Sequence, residues 1–370
     1  MMDDVTNKDE IKKFKPDYPY DLDLLPPKIE MDLEMVSALA DARVALEGLK
    51  VSIDSFEHPY QLVQIPALQE SVSSSVIENI RTTVQGAFED SAKEEKDRLP
   101  GNREALNYRE AIFSGWDSMK KYSLSSRTIL KIHDTLEIKE ARGFRSQQNS
   151  IIDELEDPIY TPPSATKIDA LLQNWENFVN SEENKIHPVI KAIIAHYQFE
   201  AIHPFLDGNG RTGRILMVLQ LVQDKVISGP AFYISGFLNE KSTLYKELLL
   251  KVTKNRAWKE YIIFMLGAFS MQAYKTRIII SKIQTQKIKM KRSIRSKFPK
   301  IYSAELIDHL FKSPVTFVGG MADDLSMSRT TAVKYLKILE ENKYLKRKKS
   351  GKYIFYYNMN LLRVLFEKIK

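Results

Sequence analysis

Twelve consecutive residues, His203 to Arg214 (HPFLDGNGRTGR), hold one imidazole, one carboxylate, one carboxamide, three glycines and two arginines. If a helix opens in those glycines, its N-terminus offers unpaired N–H groups and the positive end of a dipole. Glycine also lets a phosphate come close to the backbone. Arg211 and Arg214 lie three residues apart, so both can face one anion. Asp207 can neighbour phosphates only through a bridging divalent cation, which implies Mg²⁺. His203, with an imidazole pKa ordinarily near ~6.5, suits a general base. A polyphosphate on the loop, a metal on the carboxylate and a base at the rim describe a phosphoryl- or nucleotidyl-transfer site.

Other chemistries fit less well. Gly208 to Gly213 satisfies G-x-G-x-x-G, but a dinucleotide fingerprint must follow a strand, and VIKAIIAHYQFEAI before it reads as helix. A Walker loop needs Gly-Lys-Ser/Thr, which Gly213-Arg214-Ile215 does not supply. His196, Glu200 and His203 share one helix face and could form a zinc triad. Their spacing is not the H-E-x-x-H of a zinc hydrolase, and His196 equally reads as a core histidine.

The elements that must position these groups are mostly helical. Residues 1–30 read as an extended lead-in with Pro16, Pro19, Pro26 and Pro27. Helices are predicted from Leu33 to Gly48, from Ile65 to Ala87, and over 103–122, 126–138, 165–181 and 187–202. RGFRSQQNSIIDELEDPIYTPPS reads as a short hairpin or loop. RTGRILMVLQLVQ, apolar on nearly all sides, should be a buried central helix, and helices continue through 241–280. Beyond Pro299, an amphipathic helix, a short helix, a helix capped by Ser326 or Ser328, and a hairpin about Ser350-Gly351 make a winged helix-turn-helix. The expected division is a lead-in at 1–30, a helical region at 31–125, a core at 126–280, a basic linker helix at 281–298 and the winged helix at 299–370.

The 370 residues have no cysteine, which excludes disulfides, thiolate metal sites and a cysteine nucleophile. That fits a reducing cytoplasm, as does an N-terminus without an apolar signal region. No apolar run approaches the ~20 residues of a membrane span, so no membrane partner is expected. Residues 281–300 hold eight Lys/Arg and no acid, and residues 301–370 hold thirteen against seven Asp/Glu. The last 90 residues thus carry a net +14 and the first 280 a net −7. The C-terminal part is expected to meet a polyanion or an acidic surface, or simply to be a solvated basic face.

HPFLDGNGRTGR resembles the Fic family signature H-P-F-x-[DE]-G-N-G-R-x-x-R at every fixed position. AHYQFEAIHPFLDGNGRTGRIL reads as a whole Fic core segment, and RGFRSQQNSI with YTPP resembles the family's flap. The resemblance covers roughly residues 20–365. It implies a mainly α-helical Fic bundle with a small β-hairpin flap and a C-terminal winged helix-turn-helix. It also implies AMP transfer from ATP to a protein hydroxyl. His203 would be the base, Asp207 would hold Mg²⁺, and Phe205 would anchor the loop. Gly208, Asn209, Gly210, Thr212 and Gly213 would surround the phosphates, with Arg211 and Arg214 on their β/γ groups. Tyr245 would lie on the adenine side. Gln148, Asn149, Ser150, Ile151 and Ile152 would pair with an extended segment of the target protein.

SSVIEN, Ser74 to Asn79, resembles the family's inhibitory motif [ST]-x-x-x-E-[GN]; on its own it equally fits an amphipathic helix with an exposed glutamate. The resemblance implies that Glu78 pairs with Arg214 and withholds it from the γ-phosphate, with Ser74 and Asn79 supporting. Removal of AMP, with Glu78 orienting a water, is the rival within the same fold, alone or in a bifunctional enzyme. Transfer of UMP or phosphate also fits a loop that reads phosphates and not the base. A rival of another class is a DNA-binding regulator with a nucleotide-sensing core, against which the intact His203 argues. Partners are therefore ATP, a target protein (the chain itself included), a second copy of the chain in a homodimer, and DNA on Arg329, Lys334, Lys337 and the wing. For the last, a basic protein-docking module is the alternative.

Overall fold

The computed structural model describes residues 14–55, 59–138, 142–183 and 185–367. The expected lead-in at 1–30 is therefore seen from residue 14 only. The fold is mainly α with small antiparallel sheets. Its helices are α1 (Leu33–Asp54), α2 (Pro59–Ile77), α3 (Val84–Ser91), α4 (Pro100–Met119), α5 (Ser126–Thr135), α6 (Ile168–Asn180), α7 (Pro188–Ile202) and α8 (Asn209–Gln223). They continue with α9 (Ser235–Glu240), α10 (Ser242–Asn255), α11 (Trp258–Lys297), α12 (Ala304–Lys312), α13 (Val318–Asp324), α14 (Arg329–Glu341) and α15 (Met359–Phe366).

α7 and α8 form the centre. Apart from a few residues at their ends, both are buried on every side, as the all-round apolar pattern predicts. Three helices depart from their expected bounds. α1 does not stop at Gly48, because Leu46, Leu49 and Ile53 continue one buried stripe against α11. The single helix expected over 65–87 is two helices. α2 ends where Asn79 turns left-handed at φ 60°, with its N–H on Val76 O and that of Ile80 on Ser75 O, both at 3.0 Å. This double closure satisfies the last carbonyls and stops the helix. Finally, the boundary expected at 280/281 falls inside α11, one helix of 40 residues that ends at Lys297, two residues before Pro299.

β1 (Ile151–Ile152) and β2 (Pro158–Tyr160) pair antiparallel, with Ile151 opposite Tyr160. The lead-in lies beside the β2 end of this flap, where the Tyr20 N–H donates to Thr161 O at 3.0 Å and the Thr161 hydroxyl donates to Pro16 O at 2.6 Å. β1 keeps an open edge in this two-stranded sheet.

In the C-terminal unit, β3 (Val315–Thr316), β4 (Lys346–Ser350) and β5 (Tyr353–Tyr357) form a sheet in the order β3-β5-β4. The hairpin turns at Ser350-Gly351 as expected, whereas β3 and α15 have no counterpart in the sequence reading. Ser328, not Ser326, caps α14. This unit rests on the N-terminal helices at two places. α12 packs on α2. The wing meets α3 and the acidic turn after it: the Tyr353 hydroxyl donates to Asp97 at 2.5 Å, Lys352 pairs with Asp97 at 2.7 Å, and the Tyr357 hydroxyl donates to Glu89 of α3 at 2.9 Å. Among the described residues no helix is long and apolar enough to cross a membrane.

Candidate active site

The glycine-rich loop joins α7 to α8 and is closed by its own side chains. His203 ends α7 in the left-handed region at φ 51°. The Asn209 carboxamide then clamps Phe205, accepting its N–H and donating to its carbonyl, both at 2.8 Å. Phe205 is wholly buried and stacks on the His133 ring of α5 at 3.6 Å between centroids. His133 Nε2 in turn donates to Asp207 O at 2.9 Å. Arg145, at the base of the flap, donates to His203 O at 2.9 Å, to Gln147 O at 3.1 Å and to Pro163 O at 2.5 Å. One guanidinium thus ties flap and loop together.

The first turn of α8 is open. The Thr212 N–H is the first to bond back, to Gly208 O at 3.0 Å, leaving the preceding N–H groups as free donors. A carboxylate sits there already. A Cβ at Gly210 would lie 2.5 Å from Glu78 Oε1, so glycine is what admits this anion to the backbone. Glu78 Oε1 accepts from Arg214 Nη2 at 2.7 Å. Arg214 is 1% exposed and also donates to the Ser74 hydroxyl at 2.8 Å and to Ser74 O at 3.1 Å. Burial works to raise the Glu78 pKa, but the charge and hydrogen bond of Arg214 outweigh it and hold the carboxyl below its usual range. Ser74, Glu78 and Asn79 thus come together at the end of α2 beside α8. Ser74 fixes the guanidinium, Asn79 ends the helix, and Glu78 is left at the terminus facing α8.

His203 Nδ1 lies 3.3 Å from Glu200 O. With Nδ1–H donating there, Nε2 keeps its lone pair. Burial lowers the His203 pKa to about 4, so the ring is neutral at pH 7. Asp207 stands at the rim with its side chain 67% exposed, Oδ1 accepting from the Gly208 N–H at 2.5 Å and Oδ2 lying 3.3 Å from Arg211. An exposed carboxylate at the rim beside the start of α8 suits Mg²⁺, which takes one or two carboxylates plus substrate phosphates.

The remaining expected residues are placed differently. Asn209 and Thr212 are buried, the first with its carboxamide bonded to the Phe205 backbone and the second with its hydroxyl lacking a hydrogen-bond partner among the described residues. Gly213 lies a turn beyond the open donors, and its lack of a side chain makes room for the Glu200 carboxyl. Arg211 pairs with Glu104 at 3.0 Å and with Asp207, whereas Arg214 pairs with Glu78. The two arginines thus serve different carboxylates. Tyr245 is 3% exposed, and its hydroxyl meets His196 Nε2 at 2.6 Å, which ties α10 to α7. The zinc triad does not form. His196 Nδ1 bonds to Gly213 O at 3.2 Å, and among the described residues no group of three His, Asp or Glu could hold a metal.

In the flap, Gln148 donates to Pro162 O at 2.8 Å, and the Asn149 carboxamide donates to Phe205 O at 3.4 Å. The Ser150 hydroxyl pairs with that of Thr161 at 2.8 Å. Only Ile151 and Ile152 form strand, both exposed. Four residues had no signal in the sequence: His133, Arg145, Glu104 and the carboxyl role of Glu200. Oε1 of Glu200 is buried without a hydrogen-bond partner, and burial raises its pKa to about 7 despite the nearby charge of Arg214.

Three family models match the chain in succession. They are the Fic/DOC family N-terminal domain at 36–117, the Fic/DOC family at 123–221, and the C-terminal domain of SoFic-like protein adenylyltransferases at 287–361. The protein adenylyltransferase Fic of Drosophila grimshawi is 31% identical over 191 residues, which is 50% of this chain and 36% of that protein. Its counterpart in Drosophila mojavensis is 31% identical over 189 residues, 50% of this chain and 35% of that protein. The matched part is thus about a third of the length of these relatives. A Fic family protein from Desulfovibrio desulfuricans shares the fold at a TM-score of 0.55 and 19% identity, covering 90% of this chain and 98% of that one. A Fic domain-containing signalling protein from Bacteroides thetaiotaomicron does so at 0.50 and 17%, covering 67% and 96%. With its glycine-rich loop, flap and N-terminal helices matched in order, the chain belongs to the Fic/DOC family.

Proposed function

We propose that the chain transfers AMP from ATP to a protein hydroxyl, its own or a target's, with release of pyrophosphate, and that Glu78 restrains this activity. The observation that carries the proposal is the Glu78 carboxylate on the first turn of α8, against Gly210 and bonded to Arg214. An anion occupies the position where open N–H groups and a buried arginine would otherwise receive a phosphate. The name protein adenylyltransferase, carried by the Drosophila relatives, supports the same reading.

In the reaction the target oxygen attacks the α-phosphorus. The bond from that phosphorus to the bridging oxygen breaks, and pyrophosphate leaves. His203 Nε2 takes the hydroxyl proton, its ring oriented by the Nδ1 contact with Glu200 O. Arg214, freed from Glu78, meets the charge of the terminal phosphates. Asp207 would hold Mg²⁺, which when bound would neutralise phosphate charge. The open edge of β1 would receive an extended target segment by strand addition, close to His203 because Arg145 holds the flap to the loop.

The test is intact-mass analysis of wild type, Glu78→Gly and Glu78→Gly/His203→Ala with ATP and Mg²⁺, alone and in a cell lysate. The single variant should gain or deposit AMP fastest, and the double variant should not. Equal labelling by single and double variants would overturn the assignment of the base. Loss of AMP from a pre-labelled substrate, without any labelling, would favour hydrolytic removal of AMP as the activity.

A further inference from the structure

The C-terminal unit carries a cationic surface that AMP transfer does not use. α14 begins at a capped, exposed N-terminus, with the Ser328 hydroxyl accepting the Thr331 N–H at 3.1 Å. Its inner face is Ala332, Leu336 and Leu339. Its outer face shows Arg329, Thr330, Val333, Lys334 and Lys337, and no acid occurs from 329 to 339. Val333, 46% exposed, places an apolar patch among those cations. Of these cations, Lys337 alone has an ion pair among the described residues, a long one of 3.8 Å to Glu341. β4 is the outer strand of its sheet, and Lys346, Arg347, Lys348 and Lys349 are all exposed. Among the described residues, no carboxylate lies within ion-pair distance of Arg329, Lys334, Lys346, Arg347 or Lys349; their partners are absent from a chain segment with a net +14 over its last 90 residues.

We infer that the outer face of α14 and the edge of β4 bind duplex DNA, with α14 in the major groove and the wing on the phosphate backbone. A bare helix carrying cations and one small apolar side chain suits a groove about 12 Å wide, whose floor presents acceptors and thymine methyls. Arg329 and Lys334 reach base edges or flanking phosphates, and Val333 meets a methyl. The cations lie on two elements, a helix and a hairpin. A groove and its bordering backbone require both, whereas an acidic peptide would need one row. The tip of the wing is partly masked, because Asp97 holds both Lys352 and the Tyr353 hydroxyl. DNA must compete with Asp97 for Lys352, so the N-terminal region weakens this binding.

The test is fluorescence anisotropy of a labelled mixed-sequence duplex of about 20 base pairs with the full chain, titrated at several KCl concentrations. If Arg329, Lys334, Lys337, Lys346, Arg347 and Lys349 each displace one counterion, log K against log[KCl] has a slope of about −5, and affinity falls about a thousandfold between about 50 and 200 mM salt. Lys334→Glu with Arg347→Glu should weaken binding at least tenfold at an unchanged melting temperature. Asp97→Ala should strengthen it by freeing Lys352. Three results would each overturn the inference: no binding at low salt, charge reversal without effect, or polyglutamate competing as well as unlabelled duplex. The last would assign the surface to an acidic protein.

Discussion

Removing the Glu78 carboxylate should lower stability and raise nucleotide affinity together. Glu78→Gly leaves the buried Arg214 with its Ser74 hydrogen bonds but without its paired carboxylate. A hydrogen bond between charged groups contributes roughly 1.5–3 kcal/mol. The Glu78 side chain is 36% exposed, so the lower end applies. Glu78 also sits at the C-terminus of α2, where a negative charge opposes the helix dipole, and its removal recovers about 0.3–1 kcal/mol. The net loss is about 0.5–1.2 kcal/mol, read as a lower urea midpoint without nucleotide. ATP then supplies the missing anion without first displacing a carboxylate. The same ~0.5–1.2 kcal/mol should appear as about two- to eightfold tighter binding of a non-hydrolysable ATP analogue by calorimetry. Because the folded-state pKa of Glu78 is depressed, its contribution is present above the unfolded carboxyl pKa and lost as pH falls through the folded value. The stability gap between wild type and variant should therefore close in acid. Arg214→Ala should erase the affinity gain in both backgrounds. Equal analogue affinity for wild type and Glu78→Gly would refute the competition.

Three further outcomes are expected. Asn79→Ala places a Cβ-bearing residue without a local hydrogen-bonding side chain at φ 60°, at a cost of about 1 kcal/mol; it should loosen the end of α2 and raise basal AMP transfer, and unchanged basal turnover would count against the coupling. Asn209→Ala removes both hydrogen bonds that close the loop, about 0.5–1.5 kcal/mol each, and should weaken analogue binding. Glu200 has a raised folded pKa of about 7, so the protein loses stability as pH rises from the unfolded carboxyl value through 7. Glu200→Gln should therefore be stabilising at pH 8 relative to its effect at pH 5, as measured by urea unfolding at both; a pH-independent difference would show that the carboxyl does not titrate there.

The sequence was most informative where function is local. HPFLDGNGRTGR contains its own turn, clamp and helix start, so twelve residues suffice to place His203, Asp207 and the open end of α8. The end of α2 was misread because its stop signal is one asparagine, which becomes legible only through its left-handed backbone and the bonds to Ser75 and Val76. The burial of Tyr245 and Thr212 was not legible, because it depends on helices packed from distant parts of the chain. His133 lies 74 residues from the carbonyl it holds, and Glu104 lies 107 from Arg211. No periodicity or spacing connects such pairs. The link between Glu78 and Arg214, 136 residues apart, was available only through resemblance.

α11 has mechanical consequences. Forty residues of helix at about 1.5 Å each make a rod roughly 60 Å long, with its first half in the Fic core and its last in the C-terminal unit. It contains no proline and has no break at the point where the charge pattern suggested a joint. The C-terminal unit is thus the end of a lever and not a bead on a string. α12 bears on α2, and the wing bears on the turn that follows α3, so the load falls on either side of Glu78 in the chain. A displacement of the basic end would therefore be felt at α2 and at the turn after α3, on both sides of Glu78 in the chain.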